Sequence, residues 1–226
     1  MPRLIFWDVD TQHDFVMPDG KLYVSGSEEI LGTLERLTGY AHEHGIPIVA
    51  SADDHEAGHP ELSDAPDWRE TYPPHCMRGT EGQRKVAATT LRDALVIEPG
   101  LVDAAALESR IAGHSGDFLL HKHRFDVFSN PNTVTLIRAL DPEAIVLYGV
   151  ALDVCNRYAI EGLQQQWPQA EIFLVTDAVR AIRPDEGERL VHDWAQRGVR
   201  MVTSASILKE GLLDSYMGPR TIGYPT

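Results

Sequence analysis

Short aliphatic runs alternate with amphipathic stretches along this chain, and that alternation limits the available folds more than any other feature. Residues 4–9, 46–50, 118–121, 144–148, 172–176 and 199–202 read as six strands. Residues 27–44, 103–112, 130–140, 153–165 and 184–196 read as helices between them. In the first helix Ile30, Leu34, Leu37 and Ala41 recur on one face; Ser27 with Glu28 and Glu29 forms an N-cap with acid in the first turn, and Gly45 ends it. Each strand candidate is a continuous apolar run, the mark of a strand buried on both faces. The pattern therefore predicts a three-layer α/β fold, a six-stranded parallel sheet with right-handed crossovers and helices on both faces. Residues 1–213 read as one domain and residues 214–226 as an extended C-terminal tail suited to packing on a neighbouring subunit.

Charge narrows the function. Thirty-four acidic residues against 20 basic ones leave a formal charge of −14, and the four lysines (21, 85, 122 and 209) form no patch. Nucleic acid needs a basic face to displace its counterions, so it is excluded as a partner. The longest apolar run, residues 144–152, is about half a membrane span. The apolar residues Leu4 to Trp7 run straight into Asp8, too short a stretch for a secretory signal. Cys76 and Cys155 are expected to be reduced thiols in a cytoplasmic protein.

In an open parallel sheet, ligands bind beyond the carboxyl ends of the strands. Asp10, the cluster Asp53-Asp54-His55, Lys122 and the segment from Gly149 to Cys155 all follow strands, so topology alone brings a carboxylate, an acid/His cluster, a lysine and a thiol to one edge. Cys155 falls where a helix begins, and a helix N-terminus with a nearby lysine is expected to depress a thiol's pKa. That setting marks Cys155 as the nucleophile; Cys76, in a Pro-rich loop, reads as structural. His55-Glu56-Ala57-Gly58-His59 spells His-Glu-x-x-His, but Gly58 and Pro60 argue against the helix that zinc-protease chemistry needs. Asp53, His55, His59 and His75 still offer a carboxylate and three imidazoles, a donor set for Zn²⁺, Fe²⁺ or Mn²⁺. They sit in the aperiodic stretch 51–100, and a loop that long is usually functional.

Two families share parts of this pattern. Asp8-Val9-Asp10 alone resembles the paired aspartates of haloacid-dehalogenase-like phosphatases, but Gln12 stands where those enzymes need Thr or Val. A fuller resemblance, from the first strand to about Leu208, is to the isochorismatase-like cysteine hydrolases, most of all their nicotinamidase (pyrazinamidase) branch. Asp10-Thr-Gln12-His-Asp14-Phe15 resembles the Asp-x-Gln-x-Asp-Phe opening. Asp53-Asp54-His55, His59 and Tyr72-Pro-Pro-His75-Cys76-Met-Arg-Gly79-Thr80 resemble the metal segment, Lys122 with Phe128 the lysine segment, and Gly149-Val150-Ala151-Leu-Asp153-Val-Cys155 the nucleophile block. Around these, Asn156 and the loop beside His59 depart from the family pattern.

The resemblance implies Asp10, Lys122 and Cys155 as catalytic residues, a cis peptide between Val150 and Ala151, and an oxyanion hole made by the N–H groups of Ala151 and Cys155. It implies a divalent cation, Zn²⁺ first, on Asp53, His55, His59 and His75, with Phe15 and Tyr72 around the substrate ring. The expected reaction is hydrolysis of nicotinamide to nicotinate and ammonia through a thioester, in a homo-oligomer. Ureide, biuret or maleamate amidase and isochorismatase are the alternatives.

Overall fold

The structure, a computed structural model, describes residues 2–218. Strands β1 (Leu4–Val9), β2 (Ile48–Asp53), β3 (Leu95–Ile97), β4 (Phe118–Lys122), β5 (Ala144–Val150), β6 (Glu171–Arg180) and β7 (Arg200–Val202) form one sheet ordered β3-β4-β2-β1-β5-β6-β7. Every pairing is parallel. The sheet thus has seven strands rather than six. The extra one, β3, is a three-residue edge strand that buries only Ile97 fully, too short to leave a periodic signal.

Helices α1 (His13–Val16), α2 (Leu31–Glu43), α3 (Ala104–Ala112), α4 (Thr133–Leu140), α5 (Cys155–Gln166), α6 (Pro184–Gln196) and α7 (Ser204–Lys209) complete the chain. Successive residues of a strand point to opposite faces, and β1 feeds two cores. Ile5, Trp7 and Val9 pack with Leu107, Leu136, Ile160, Leu163 and Trp194 of α3 to α6, whereas Leu4 and Phe6 pack with Leu34, Leu37 and Ala41 of α2 and Ile207 of α7. All residues of β1, β2 and β5 are buried, as their position at the centre of the sheet demands.

Two local expectations are corrected. Ser27 does not cap α2: its buried hydroxyl donates toward the carbonyls of Phe15, Val16 and Val24, and residues Ser27–Ile30 form a 3-10 turn ahead of the helix. The second strand runs later than its apolar run, through Ser51 to Asp53, because those polar side chains are buried at the site. From Asp214 the chain makes a one-turn 3-10 helix (Asp214–Tyr216), with Tyr216 edge-on to Phe173; residues 219–226 of the expected tail lie outside the described residues. Among the described residues no helix is long and apolar enough to cross a membrane.

The strand order reverses beside β1: the chain runs out through β2 and β4 on one side, then crosses to β5 on the other. Such a switch point opens a crevice at the carboxyl ends of the strands. Register pairs Val9 with both Ser51 and Gly149, and Asp53 with Lys122, so the residues that follow meet at one level.

Candidate active site

Asp10 is the first residue beyond β1 and adopts a left-handed φ of 47°, which an L-residue holds only where its surroundings impose it. Its carboxylate accepts a hydrogen bond from Ser51 Oγ at 2.6 Å and lies 2.8 Å from Lys122 Nζ. Lys122, fully buried at the end of β4, also pairs closely with Asp53 and stands 3.9 Å from Cys155 Sγ. Burial alone favours the neutral amine, but Asp10 and Asp53 outweigh it and hold the Lys122 pKa well above its usual value. The lysine is therefore a permanent cation wedged between two carboxylates and a thiol.

Cys155 opens α5, as expected, and is 7% exposed. The expected depression of its pKa does not occur. Burial raises the thiol's pKa well above normal, and the Asp10 charge adds to that; Lys122 opposes them without prevailing. At rest the sulfur carries its proton and needs a base, and Asp10 is the buried carboxylate beside it. The Val150–Ala151 peptide is cis. The Ala151 and Cys155 N–H groups donate to no acceptor among the described residues, whereas the Ala151 carbonyl accepts from Val154 and Asn156.

Beside this triad, Asp53, His55, Glu61 and His75 bring one donor atom each within 4.8 Å of one another, all from buried side chains. His75 Nε2 lies 3.5 Å from Asp53 Oδ2 and 3.7 Å from Glu61 Oε1; His55 Nε2 lies 3.8 and 3.7 Å from the same oxygens. Those gaps are too long for hydrogen bonds, and His55 Nε2 and Glu61 Oε2 have no hydrogen-bond partner. Donors about 2.1 Å from a shared cation stand about 3.0 to 3.4 Å apart, from octahedral to tetrahedral angles, so the spacing suits a divalent cation, one able to take a further ligand when its coordination expands beyond four. The far nitrogen of His75 faces the Pro73 carbonyl at 2.7 Å, which fixes its tautomer with Nε2 free to ligate. Two carboxylates so close also draw a proton: against the opposing effect of burial, Asp53 and Glu61 push His55 up to about 9.

His59, expected among the ligands, is not one of the four. Its Nδ1 accepts the Glu56 N–H at 3.2 Å and lies 3.4 Å from Nδ1 of His55, on the side away from the carboxylates, and its ring lies tilted against that of His123. Glu61 takes the fourth place. Sequence reasoning missed it because a lone Glu after a Pro in an aperiodic loop carries no signal. The only available cue was its closeness to two candidate His residues. Gln12 was likewise read only as part of a motif: its amide spans Asp53, accepting from the Asp53 N–H at 2.7 Å and donating to the Asp53 carbonyl at 2.8 Å. The His-Glu-x-x-His stretch is not helical, and Glu56 is exposed and paired with Arg78. Cys76 is a buried free thiol whose N–H donates to Asp14 Oδ2 at 2.7 Å.

A small pocket joins the two halves. It is lined by Cys155 and Ala151 on one side, Asp53, Glu61 and His75 on another, and Phe15, Tyr72, Phe125 and Ile182 around them; the space between these atoms, including the part open to solvent, is about 350 Å³. Phe15 and Tyr72, expected around a substrate ring, are among the lining residues; Phe125 and Ile182 were not anticipated.

The isochorismatase domain matches residues 4–206. The chain belongs to the isochorismatase-like hydrolase family. Among solved structures, it is similar to the pyrazinamidase of Pyrococcus horikoshii in complex with zinc (TM-score 0.69, 23% identity, 89% of this chain and 99% of that one). It is also similar to a nicotinamidase/pyrazinamidase from Bacillus subtilis (0.68, 19%, 89% and 100%) and to the N-carbamoylsarcosine amidase of Thermoplasma acidophilum (0.66, 21%, 90% and 97%). At these identities the likeness speaks for the fold. No curated protein matches the chain significantly.

Proposed function

We propose that this hydrolase cleaves a small ring carboxamide, nicotinamide being the first choice, to the carboxylate and ammonia. The observation that carries the reading is the shared pocket: Cys155 lines the same small cavity as Asp53, Glu61 and His75, three of the four clustered donors. A pyridine nitrogen would be a ligand for a cation held by such a set, while the carboxamide on the same ring would reach the thiol. When bound, the divalent cation, Zn²⁺ by donor type, supplies a Lewis-acidic anchor for that nitrogen.

Asp10 takes the proton from Cys155 Sγ as the sulfur attacks the amide carbon. The Ala151 and Cys155 N–H groups receive the charge that develops on the amide oxygen. Asp10 then gives its proton to the departing nitrogen, the C–N bond breaks, and ammonia leaves a thioester. Water attacks that thioester with Asp10 again as base, the C–S bond breaks, and the proton returns to the sulfur. Lys122 stays charged throughout, holding the Asp10 carboxylate in place and offsetting the negative charge of the sulfur. Phe15 and Tyr72 enclose the ring, and the partner is a small-molecule amide.

The test is ammonia release from nicotinamide by wild type and Cys155→Ala side by side. Release by wild type alone supports the reading. No release by folded, zinc-loaded wild type rejects nicotinamide and turns attention to ureides, maleamate and isochorismate.

A further inference from the structure

Asp10 has to pass a proton between the sulfur, the departing nitrogen and water, so the direction in which its carboxylate faces matters as much as its charge. Its two oxygens are placed differently. Oδ1 accepts the Ser51 hydroxyl at 2.6 Å, whereas Oδ2 lies 2.8 Å from the Lys122 ammonium and accepts no hydrogen bond. Ser51 is 1% exposed and pairs with Val9 across β2 and β1, one residue before Asp10. Its carbonyl also accepts the Asp10 N–H at 3.2 Å, so one residue grips both the backbone and the side chain of the base. In a strand buried along its whole length a hydroxyl is costly unless it is bonded, and this one is bonded to the carboxylate.

The torsion that turns a carboxylate is soft, so a second anchor is needed to fix it. Lys122 cannot serve as that anchor. Its ammonium carries three donors and, were Oδ1 not engaged, would draw both oxygens of Asp10 toward itself. We propose that Ser51 is a positioning residue for the hydrolysis: by holding Oδ1 it leaves Oδ2 as the oxygen that exchanges a proton with Cys155 and with the leaving nitrogen. This rests on the reading of Asp10 as the base, and not on which ring carries the amide.

The experiment compares steady-state ammonia release from nicotinamide by wild type, Ser51→Ala, Ser51→Cys and Ser51→Thr under reducing conditions, with Asp10→Asn as the reference for a lost base. If wild type prefers a ureide or maleamate, the same comparison is made on that amide. Cysteine nearly matches the shape of serine but is a poor hydrogen-bond donor, and threonine keeps the hydroxyl. Ser51→Ala and Ser51→Cys should each lower kcat by about tenfold or more while KM stays within about twofold. Ser51→Thr should stay within about threefold of wild type, and melting curves establish that the variants compared are folded. A kcat within about twofold of wild type in folded Ser51→Ala or Ser51→Cys, or a loss that falls in KM, overturns the proposal. A slow Asp10→Asn beside an unimpaired Ser51→Ala removes this inference alone. An Asp10→Asn that keeps its turnover removes the base itself, and the mechanism with it.

Discussion

Cys155 lies at a helix start beside a buried lysine, the setting that ordinarily favours a thiolate, yet burial, with the Asp10 and Asp53 charges, pushes the thiol's pKa up against the pull of Lys122. The sulfur is therefore inert until Asp10 removes its proton. Cys155→Ala should lower kcat by at least about 10³-fold, with the fold intact by circular dichroism. Asp10→Asn should lose turnover comparably but make the sulfur more reactive. The Asp10 charge raises the thiol's pKa and Lys122 lowers it, so removing the carboxylate leaves the lysine less opposed. Iodoacetamide alkylation of Cys155 should then be faster at neutral pH, with its pH midpoint shifted down. An upward shift would mean that Asp10 does not act on the thiol in this way.

Where β5 ends, its backbone lies against that of β1. Gly149 has φ +115°, and a Cβ there would stand 2.1 Å from the Val9 carbonyl oxygen. Gly149→Ala must push apart the two strands that lead to Asp10 and Cys155. We expect a loss of about 3 kcal/mol in denaturant unfolding, and a loss under about 1 kcal/mol would show that the strand ends yield easily. Elements of this kind were legible because buried parallel strands announce themselves as unbroken apolar runs, and because Asp10 directly follows one, Lys122 ends one and Cys155 opens the helix after one. The metal side was legible only in part. Asp53, His55 and His75 come together as read, but which of His59 and Glu61 completes the set depends on how residues 54–62 turn through Gly58 and Pro60, a path that no periodicity encodes. The Cys155 pKa failed for a related reason: helix start and lysine are visible in sequence, while depth of burial is a property of the assembled molecule.

At the scale of the molecule, the loop between β2 and β3 has little regular structure, and the four buried side chains that could hold a metal draw it to the sheet. Asp53 belongs to β2, His55 and Glu61 to the turn beyond it, and His75 to a segment bridged back to Glu61 through Tyr72. A cation bound there in the folded state alone adds RT ln(1 + [L]/Kd) to stability, about 2.7 kcal/mol at a hundredfold excess over Kd. For a chain of this size each kcal/mol moves the midpoint by about 2–4 °C, so removal of the metal by a chelator should lower Tm by about 6–10 °C, and added zinc should restore it. Glu61→Gln should weaken that response to zinc, whereas His59→Gln, which alters a residue behind His55, should retain most of it. Metal analysis of the purified protein gives the complementary measurement, with about one ion per chain expected. If wild type carries no metal and its Tm is indifferent to both chelator and zinc, the four side chains are a buried ionic network closed by the proton on His55. The pyridine nitrogen would then have to be held by hydrogen bonds, and the case for a ring carboxamide would rest on the aromatic walls of the pocket alone.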